Sequence, residues 1–242
     1  MASFEGFDSP HIAQPEQIEQ AARDLHKKLW RSRAQSRQAV SSSVDKILET
    51  LEPAAAIHLL GMKVDTVDSL GLDMVGGTHC EVAGLLDRGT KRVMLSRQFS
   101  LPSQRFTLGH EAAHIVLDVS QRILHRDIPL ERRKVEKDWR EWRANRFASA
   151  YLMPRNLFIN EFEARFKRDS ISLTEEMSYA LFGTGLDRVG KKIKDLRALS
   201  LAVARNFSFN GRTFSSLREQ FKVSDLALAI RLEELELVTW PA

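Results

Sequence analysis

The chain has 242 residues, of which 43% are apolar and 28% charged, an ordinary balance for a globular protein with its own core. Its net charge of +4 permits contact with nucleic acid but does not demand it. A single cysteine, Cys80, excludes an internal disulfide and suits a reducing compartment. The first residues lack a basic start followed by an apolar core, so we expect no secretion signal, and no apolar run is as long as the ~20 residues of a membrane span. We therefore expect a cytoplasmic protein without a membrane partner.

The first 52 residues are predicted to form an amino-terminal helical region. The first helix runs from Pro15 to about Gln38, and its apolar stripe consists of Ile18, Ala22, Leu25 and Leu29. Three serines interrupt the pattern at residues 41–43. A second helix follows, with its apolar residues at Val44, Ile47, Leu48 and Leu51.

Short strands come next in the chain. Pro53 opens a short helix that Gly61 closes. Three segments then have the composition of strands: Met62–Val67, Cys80–Leu86 and Lys91–Leu95. The last two are joined by a hairpin at residues 87–90. The predicted class is α+β, with a small antiparallel three-stranded sheet packed on helices.

A metal-binding motif follows the predicted strands. His110-Glu111-Ala112-Ala113-His114 lies in a predicted helix of about residues 103–118 that starts at Pro102 and Ser103. Residues i and i+4 share one face of a helix, so both imidazoles can grip one ion in a geometry that Zn²⁺ accepts. Glu111 is rotated by about 100° from His110 and can accept a proton from water without binding the ion. The motif predicts a metal-dependent hydrolase with Glu111 as its catalytic base.

A third ligand is expected on a later helix. Glu141 and Asn145 are again four residues apart and face the same way. Glu141 can complete a His₂Glu site, the ligand set of catalytic zinc, and Asn145 can hydrogen-bond the outer nitrogen of an imidazole. On spacing alone, Glu141 could instead be one more charge on a solvated helix. This helix is predicted to end at Leu152-Met153-Pro154.

These motifs together resemble the ImmA/IrrE family of metallopeptidases. The resemblance covers about residues 50–160 and is carried by the run Arg105–His114, by Glu141-x-x-Ala144-Asn145-x-Phe147-Ala148 and by Leu152-Met153-Pro154. It implies a zincin-like metallopeptidase core at residues 53–166, with His110, His114 and Glu141 as ligands and Glu111 as the base. The ion would be Zn²⁺, although Mn²⁺ could occupy the same site. The chain departs from the family pattern at Gly109, usually Ala, and Ala113, usually Gly.

The stretch from Arg122 to Arg140 is dense in charges of both signs. Such a run indicates a solvated face, and the alternative is a loop near the cleft that docks a partner. His125 lies within it, either as a loop histidine or as a group that polarises a substrate carbonyl.

Residues 167–242 are predicted to be a helical region, with one helix at about 173–181 and another at 186–204. Its last segment, residues 216–238, is typical of a helix-turn-helix whose second helix is capped by Ser224. Many family members carry a similar tail, with Gly where this chain has Glu236. Glu233, Glu234 and Glu236 would repel phosphates, which favours packing or substrate docking over DNA binding.

Two functions remain open from the sequence. The resemblance implies a zinc endopeptidase that cleaves a specific protein, a helix-turn-helix repressor, in bacterial or phage regulation such as stress, DNA damage or mobile-element induction. The alternative is a non-catalytic module that keeps the metal site and binds DNA or a protein. Glu111 favours the enzyme, because a binding module needs no general base.

Overall fold

The computed structural model describes residues 14–35, 43–75, 78–118, 124–127 and 139–241. The helices are α1 Pro15–Gln35, α2 Val44–Thr50, α3 Pro53–Leu59, α4 Leu101–Leu117, α5 Trp139–Leu152, α6 Arg155–Phe166, α7 Glu175–Phe182, α8 Leu186–Val189, α9 Leu196–Ala204, α10 Leu217–Phe221 and α11 Asp225–Glu234. The strands are β1 Lys63–Val67, β2 Leu72–Val75, β3 Thr78–Glu81, β4 Gly84–Asp87, β5 Arg92–Ser96, β6 Leu124–Asp127, β7 Ile171–Ser172, β8 Ser208–Phe209, β9 Arg212–Thr213 and β10 Val238–Thr239.

The α+β class is confirmed, with a small sheet packed on helices that include the HExxH helix α4. The sheet has four strands in the order β1-β5-β4-β6, rather than the three that were predicted. The β4–β5 and β4–β6 pairs are antiparallel, whereas β1 runs parallel to β5. The predicted strand Cys80–Leu86 is interrupted at Val82 and Ala83. Its first part pairs in the β2–β3 hairpin, and its second part becomes β4.

The fourth strand lies inside the charged stretch that was predicted to be a solvated surface. Leu124–Asp127 contains one apolar residue in four, so the alternation that marks a half-buried strand is absent. The strand forms because its backbone pairs with β4, and not because its own sequence favours a strand. His125 therefore lies in a strand, opposite Leu86, and not in a loop. Residues 122–123 and 128–138 of the predicted docking loop lie outside the described residues.

Helix α1 covers the outer side of α5. Its predicted stripe is confirmed, because Ile18, Ala22, Leu25 and Leu29 are all buried. His26, on the same helix, donates from Nε2 to the carbonyl of Tyr151 at 2.9 Å and packs on the Tyr151 ring. Burial lowers the pKa of His26 from 6.5 to about 4, although the Tyr151 carbonyl and Glu19 both favour the charged form.

This histidine should make the stability of the fold depend on pH. Because the folded-state pKa of His26 is below the unfolded-state value, the unfolded chain binds more protons between pH 6.5 and about 4. The fold therefore becomes less stable as the pH is lowered through this range. We expect that lowering the pH from 7 to 5 costs wild type about 1–2 kcal/mol more unfolding free energy than it costs His26→Gln. A metal chelator is present in both cases, so that metal binding does not contribute. Urea titrations at both pH values measure this difference. Equal losses of unfolding free energy in the two proteins would contradict a lowered pKa of His26 in the folded state.

The helices after residue 166 share the core of the preceding residues. One continuous apolar cluster joins Ile18 of α1, Phe147 of α5 and Leu228 of α11. The division into residues 1–52, 53–166 and 167–242 stays a prediction, and these regions are not separated by a gap in packing. No helix in the described ranges is both long and apolar enough to span a membrane.

The carboxy-terminal elements follow the predicted order, with one helix broken in two. The predicted helix at 186–204 separates into α8 and α9, because Asp195 caps a new start by accepting from Ala198 N–H. Ser224 caps α11 as predicted, by accepting from Ala227 N–H. Glu236 has φ +57°, in the left-handed region. That conformation gives a physical reason for glycine at this position in the family pattern, and a non-glycine residue there costs about 1 kcal/mol or more.

Candidate metal centre

Helix α4 brings the HExxH motif into the centre of the fold. It starts at Leu101, two residues earlier than predicted, and its cap is Ser100, whose side chain accepts from Ser103 N–H. Pro102 lies in the first turn, where backbone N–H groups have no partner within the helix, so the lack of an N–H in proline costs no hydrogen bond. All residues from Phe106 to His114 are buried. Beyond the motif the burial decreases, because Val116 and Leu117 are only partly buried.

Two glycines allow the neighbouring elements to approach α4. A side chain at Gly109 would lie 3.3 Å from both Cα and Cβ of Ala148 on α5, so the two helices pack almost backbone to backbone. A side chain at Gly84 on β4 would strike Thr107 and come within 3.2 Å of Glu111 Oε1. The sheet and α5 therefore close on opposite sides of the motif.

Three of the predicted site residues meet between α4 and α5. The Nε2 atoms of His110 and His114 are 3.0 Å apart. Glu141 reaches both, with its carboxylate oxygens 3.2 Å from Nε2 of His110 and 3.5 Å from Nε2 of His114. One donor atom from each residue lies within 4.8 Å of the other two. The spacing argument placed these residues on common faces, and the α4–α5 contact brings the two faces together.

The outer nitrogen of each imidazole has an oxygen partner. Nδ1 of His110 is 2.8 Å from Asn145 Oδ1, the contact that the sequence predicted for Asn145. Nδ1 of His114 is 2.7 Å from a carboxylate oxygen of Asp118. Because these oxygens accept, each Nδ1 carries a proton, and the neutral form of each ring then has its lone pair on Nε2. Both tautomers are therefore those that a metal ligand needs.

Asp118 was missed in the sequence, although a signal for it was present. Residues 110, 114 and 118 form one series at a spacing of four, so all three share a face of α4. Arg143 lies 3.5 Å from the Asp118 carboxylate and donates to the carbonyl of Leu117. Arg88 donates to the carbonyls of His114 and Asp118. These two arginines hold the carboxyl end of α4, where positive charge is favourable.

Glu111 and Asp127 place two further carboxylates beside the histidines. Glu111 is fully buried on the side of α4 that faces β4. Asp127, the last residue of β6, is also buried, and its Oδ1 lies 3.6 Å from Nε2 of His110. No pattern in the sequence distinguishes Asp127 from the charges around it. The β4–β6 pairing alone places it in the site.

The donor set fits a divalent cation. Two imidazole nitrogens and a carboxylate are ligands that Zn²⁺ accepts, and their mutual distances of 3.0–3.5 Å match ligands around one ion. Two Nε2 lone pairs 3.0 Å apart repel each other unless a positive charge lies between them. The residues present therefore suit a metal ion, and this arrangement could activate water for hydrolysis.

A groove lies at the other end of α4, away from the histidines. Its volume is about 1140 Å³. It runs between residues 100–108 on one side and residues 218–226, from α10 to the start of α11, on the other. The acidic residues of α11 that were expected to repel phosphates have partners in the fold. Glu233 accepts two hydrogen bonds from Arg197, and Glu234 accepts from Ser149 and Arg231.

Comparison with known proteins agrees with this geometry. Residues 70–179 match the family model of the IrrE N-terminal-like domain, peptidase family M78. No match was found among curated proteins. The matched segment contains the HExxH motif, Glu141 and Asn145, together with Asp118 and Asp127. The match over residues 70–179, which hold the whole candidate site, therefore supports the resemblance to the ImmA/IrrE family of metallopeptidases.

Proposed function

We propose that the protein is a zinc-dependent endopeptidase in which His110, His114 and Glu141 hold the ion and Glu111 is the catalytic base. One observation carries the proposal: Nε2 of His110, Nε2 of His114 and a Glu141 carboxylate oxygen lie within 4.8 Å of one another, next to the buried Glu111 in the same motif. Zn²⁺ suits this ligand set best, and Mn²⁺ could replace it.

The surrounding residues would divide the work of peptide hydrolysis. A bound divalent ion would polarise the scissile carbonyl and lower the pKa of water. Glu111 would take a proton from the attacking water and pass it to the leaving amine nitrogen. Asn145 and Asp118 would hold the two imidazoles in the required tautomer and orientation. Burial of Glu111 keeps bulk water away from the transferred proton.

We propose a specific cytoplasmic protein as the substrate, namely a helix-turn-helix transcriptional repressor in bacterial or phage regulation. The family resemblance supports this choice. The carboxy-terminal helices would contribute to substrate docking, since they border the groove at the start of α4. Direct DNA binding by this region is disfavoured, because one face of α11 is buried in the core through Ala227, Leu228 and Leu232. A helix buried in this way cannot enter a major groove with that face.

Elemental analysis combined with a cleavage assay tests the proposal. Native protein should contain one divalent ion per chain and should cut the repressor encoded beside its gene. His114→Ala should lose both the ion and the cleavage, whereas His58→Ala, which changes an exposed histidine, should keep both. A native protein that holds no metal and takes up none from added Zn²⁺ would remove the basis of the proposed function.

A further inference from the structure

The proposed ligand set leaves out a buried carboxylate that faces the same histidines. Asp127 is 2% exposed, and its Oδ1 lies 3.6 Å from Nε2 of His110. Two ligands of a tetrahedral zinc ion, one nitrogen and one oxygen, are separated by about 3.3 Å. Asp127 is thus within a few tenths of an ångström of the separation that a ligand requires from His110.

The sheet register determines where this carboxylate points. Asp127 is paired with Gly84, and directly paired residues of antiparallel strands present their side chains on the same face. That face is turned towards α4, because a side chain at Gly84 would strike Thr107 and approach Glu111. The Ala83 N–H donates to the Asp127 carbonyl at 2.8 Å, which fixes the backbone. The absence of a side chain at Gly84 lets Thr107 and Glu111 approach this face of the sheet.

The local charge also favours a ligand role. Three carboxylates lie in the site with the two imidazoles, namely those of Glu111, Glu141 and Asp127. The Nδ1 protons of the imidazoles are donated to Asn145 and Asp118. Burying a carboxylate is costly unless a cation or several hydrogen bonds compensate it. A divalent ion at the shared point would compensate Glu141 and Asp127 together. Asp127 is close to His110 but lies outside the set of three donors within 4.8 Å of one another, so its side chain would have to turn towards the ion to bind it.

We propose that Asp127 is a fourth protein ligand of the ion, giving a site of two histidines and two carboxylates. This inference rests on the proposed function, because it requires that the three-donor site binds metal. Zinc can expand to five ligands, so a fourth protein ligand still leaves a place for water or substrate. A second carboxylate oxygen also makes the site more favourable for Mn²⁺, which prefers oxygen ligands.

Metal competition with Asp127→Asn tests the assignment on the full chain. With a chromophoric chelator, Zn²⁺ affinity should fall by about 10-fold or more, and Mn²⁺ affinity should fall further. Substitution with Co²⁺ gives a second readout, because loss of a ligand changes the visible absorption of the bound ion. Asp65→Asn is the matched control: it removes a half-exposed carboxylate from β1 of the same sheet and should leave both readouts unchanged.

Thermal unfolding separates a ligand from a purely structural residue. In the presence of a metal chelator, the melting temperatures of Asp127→Asn and wild type give the effect of the substitution without the ion. With Zn²⁺, it should gain less stability than wild type, because the ion binds more weakly. A Zn²⁺-induced gain in melting temperature, a Zn²⁺ affinity and a Co²⁺ spectrum all equal to those of wild type would overturn the inference. Failure of wild type to bind metal would instead count against the proposed function.

Discussion

Glu111→Gln is expected to bind metal as wild type does and to lose peptide cleavage by about 10²–10⁴-fold, the usual contribution of a general base. Glutamine has nearly the same shape, so the buried position between α4 and β4 can accommodate it. Its amide cannot accept a proton from water. The three proposed ligands remain in place, so metal content should not change. Elemental analysis and the repressor-cleavage rate measure the two effects separately.

The control for this variant is Glu163→Gln, the same chemical change on an exposed position of α6. It should retain both metal and cleavage. Comparison with His114→Ala completes the test, since that variant should lose the ion as well as the activity. If Glu111→Gln cleaved the repressor at the wild-type rate, a mechanism with Glu111 as the base would be wrong.

Arg231→Ala is expected to destabilise the fold by about 3–5 kcal/mol, the effect of breaking a buried ion pair. Arg231 is fully buried on α11. Its guanidinium donates to the carboxylate of Glu19 on α1, to Glu234 and to the carbonyl of Met153 after α5. Burial raises the pKa of Glu234, while Arg231 and Arg146 oppose that rise. Removing Arg231 would leave buried carboxylates without their main cation.

Urea unfolding of two further variants identifies the cause. Arg197→Ala removes a half-exposed arginine of α9 whose partner is Glu233 on α11, and it should cost less than about 1 kcal/mol. Arg231→Met with Glu19→Gln removes both charges while retaining apolar volume, and it should recover part of the loss. Equal effects of Arg231→Ala and Arg197→Ala would show that the buried network contributes no more than a surface pair.

This network also limits the use of truncation. Because α11 contacts α1 and α5 through Arg231, a chain that ends near residue 165 would lose the partner of Glu19 and expose part of the apolar cluster. The test of substrate docking should therefore use full-length protein. Point variants along the groove, such as substitutions at exposed Leu101, leave this core intact.

Much of the candidate site could be predicted because its spacing is local. His110 and His114 share a face of one helix, and Glu141 and Asn145 share a face of another, so a period of four residues identifies both pairs. The stripe of α1 and the Ser224 cap are local in the same sense. Asp118 belongs with these features, since it continues the series from His114.

The remaining features were decided by contacts between residues far apart in the chain. Asp127 looks like one charge among many until its pairing opposite Gly84 turns it towards His110. Arg231 looks like a surface residue of an amphipathic helix until Glu19, more than two hundred residues earlier, is placed against it. The sequence by itself determined the helix faces that carry the chemistry, because side-chain periodicity follows from backbone geometry. Only the tertiary structure decided which charges are buried, because burial depends on the elements that pack over them.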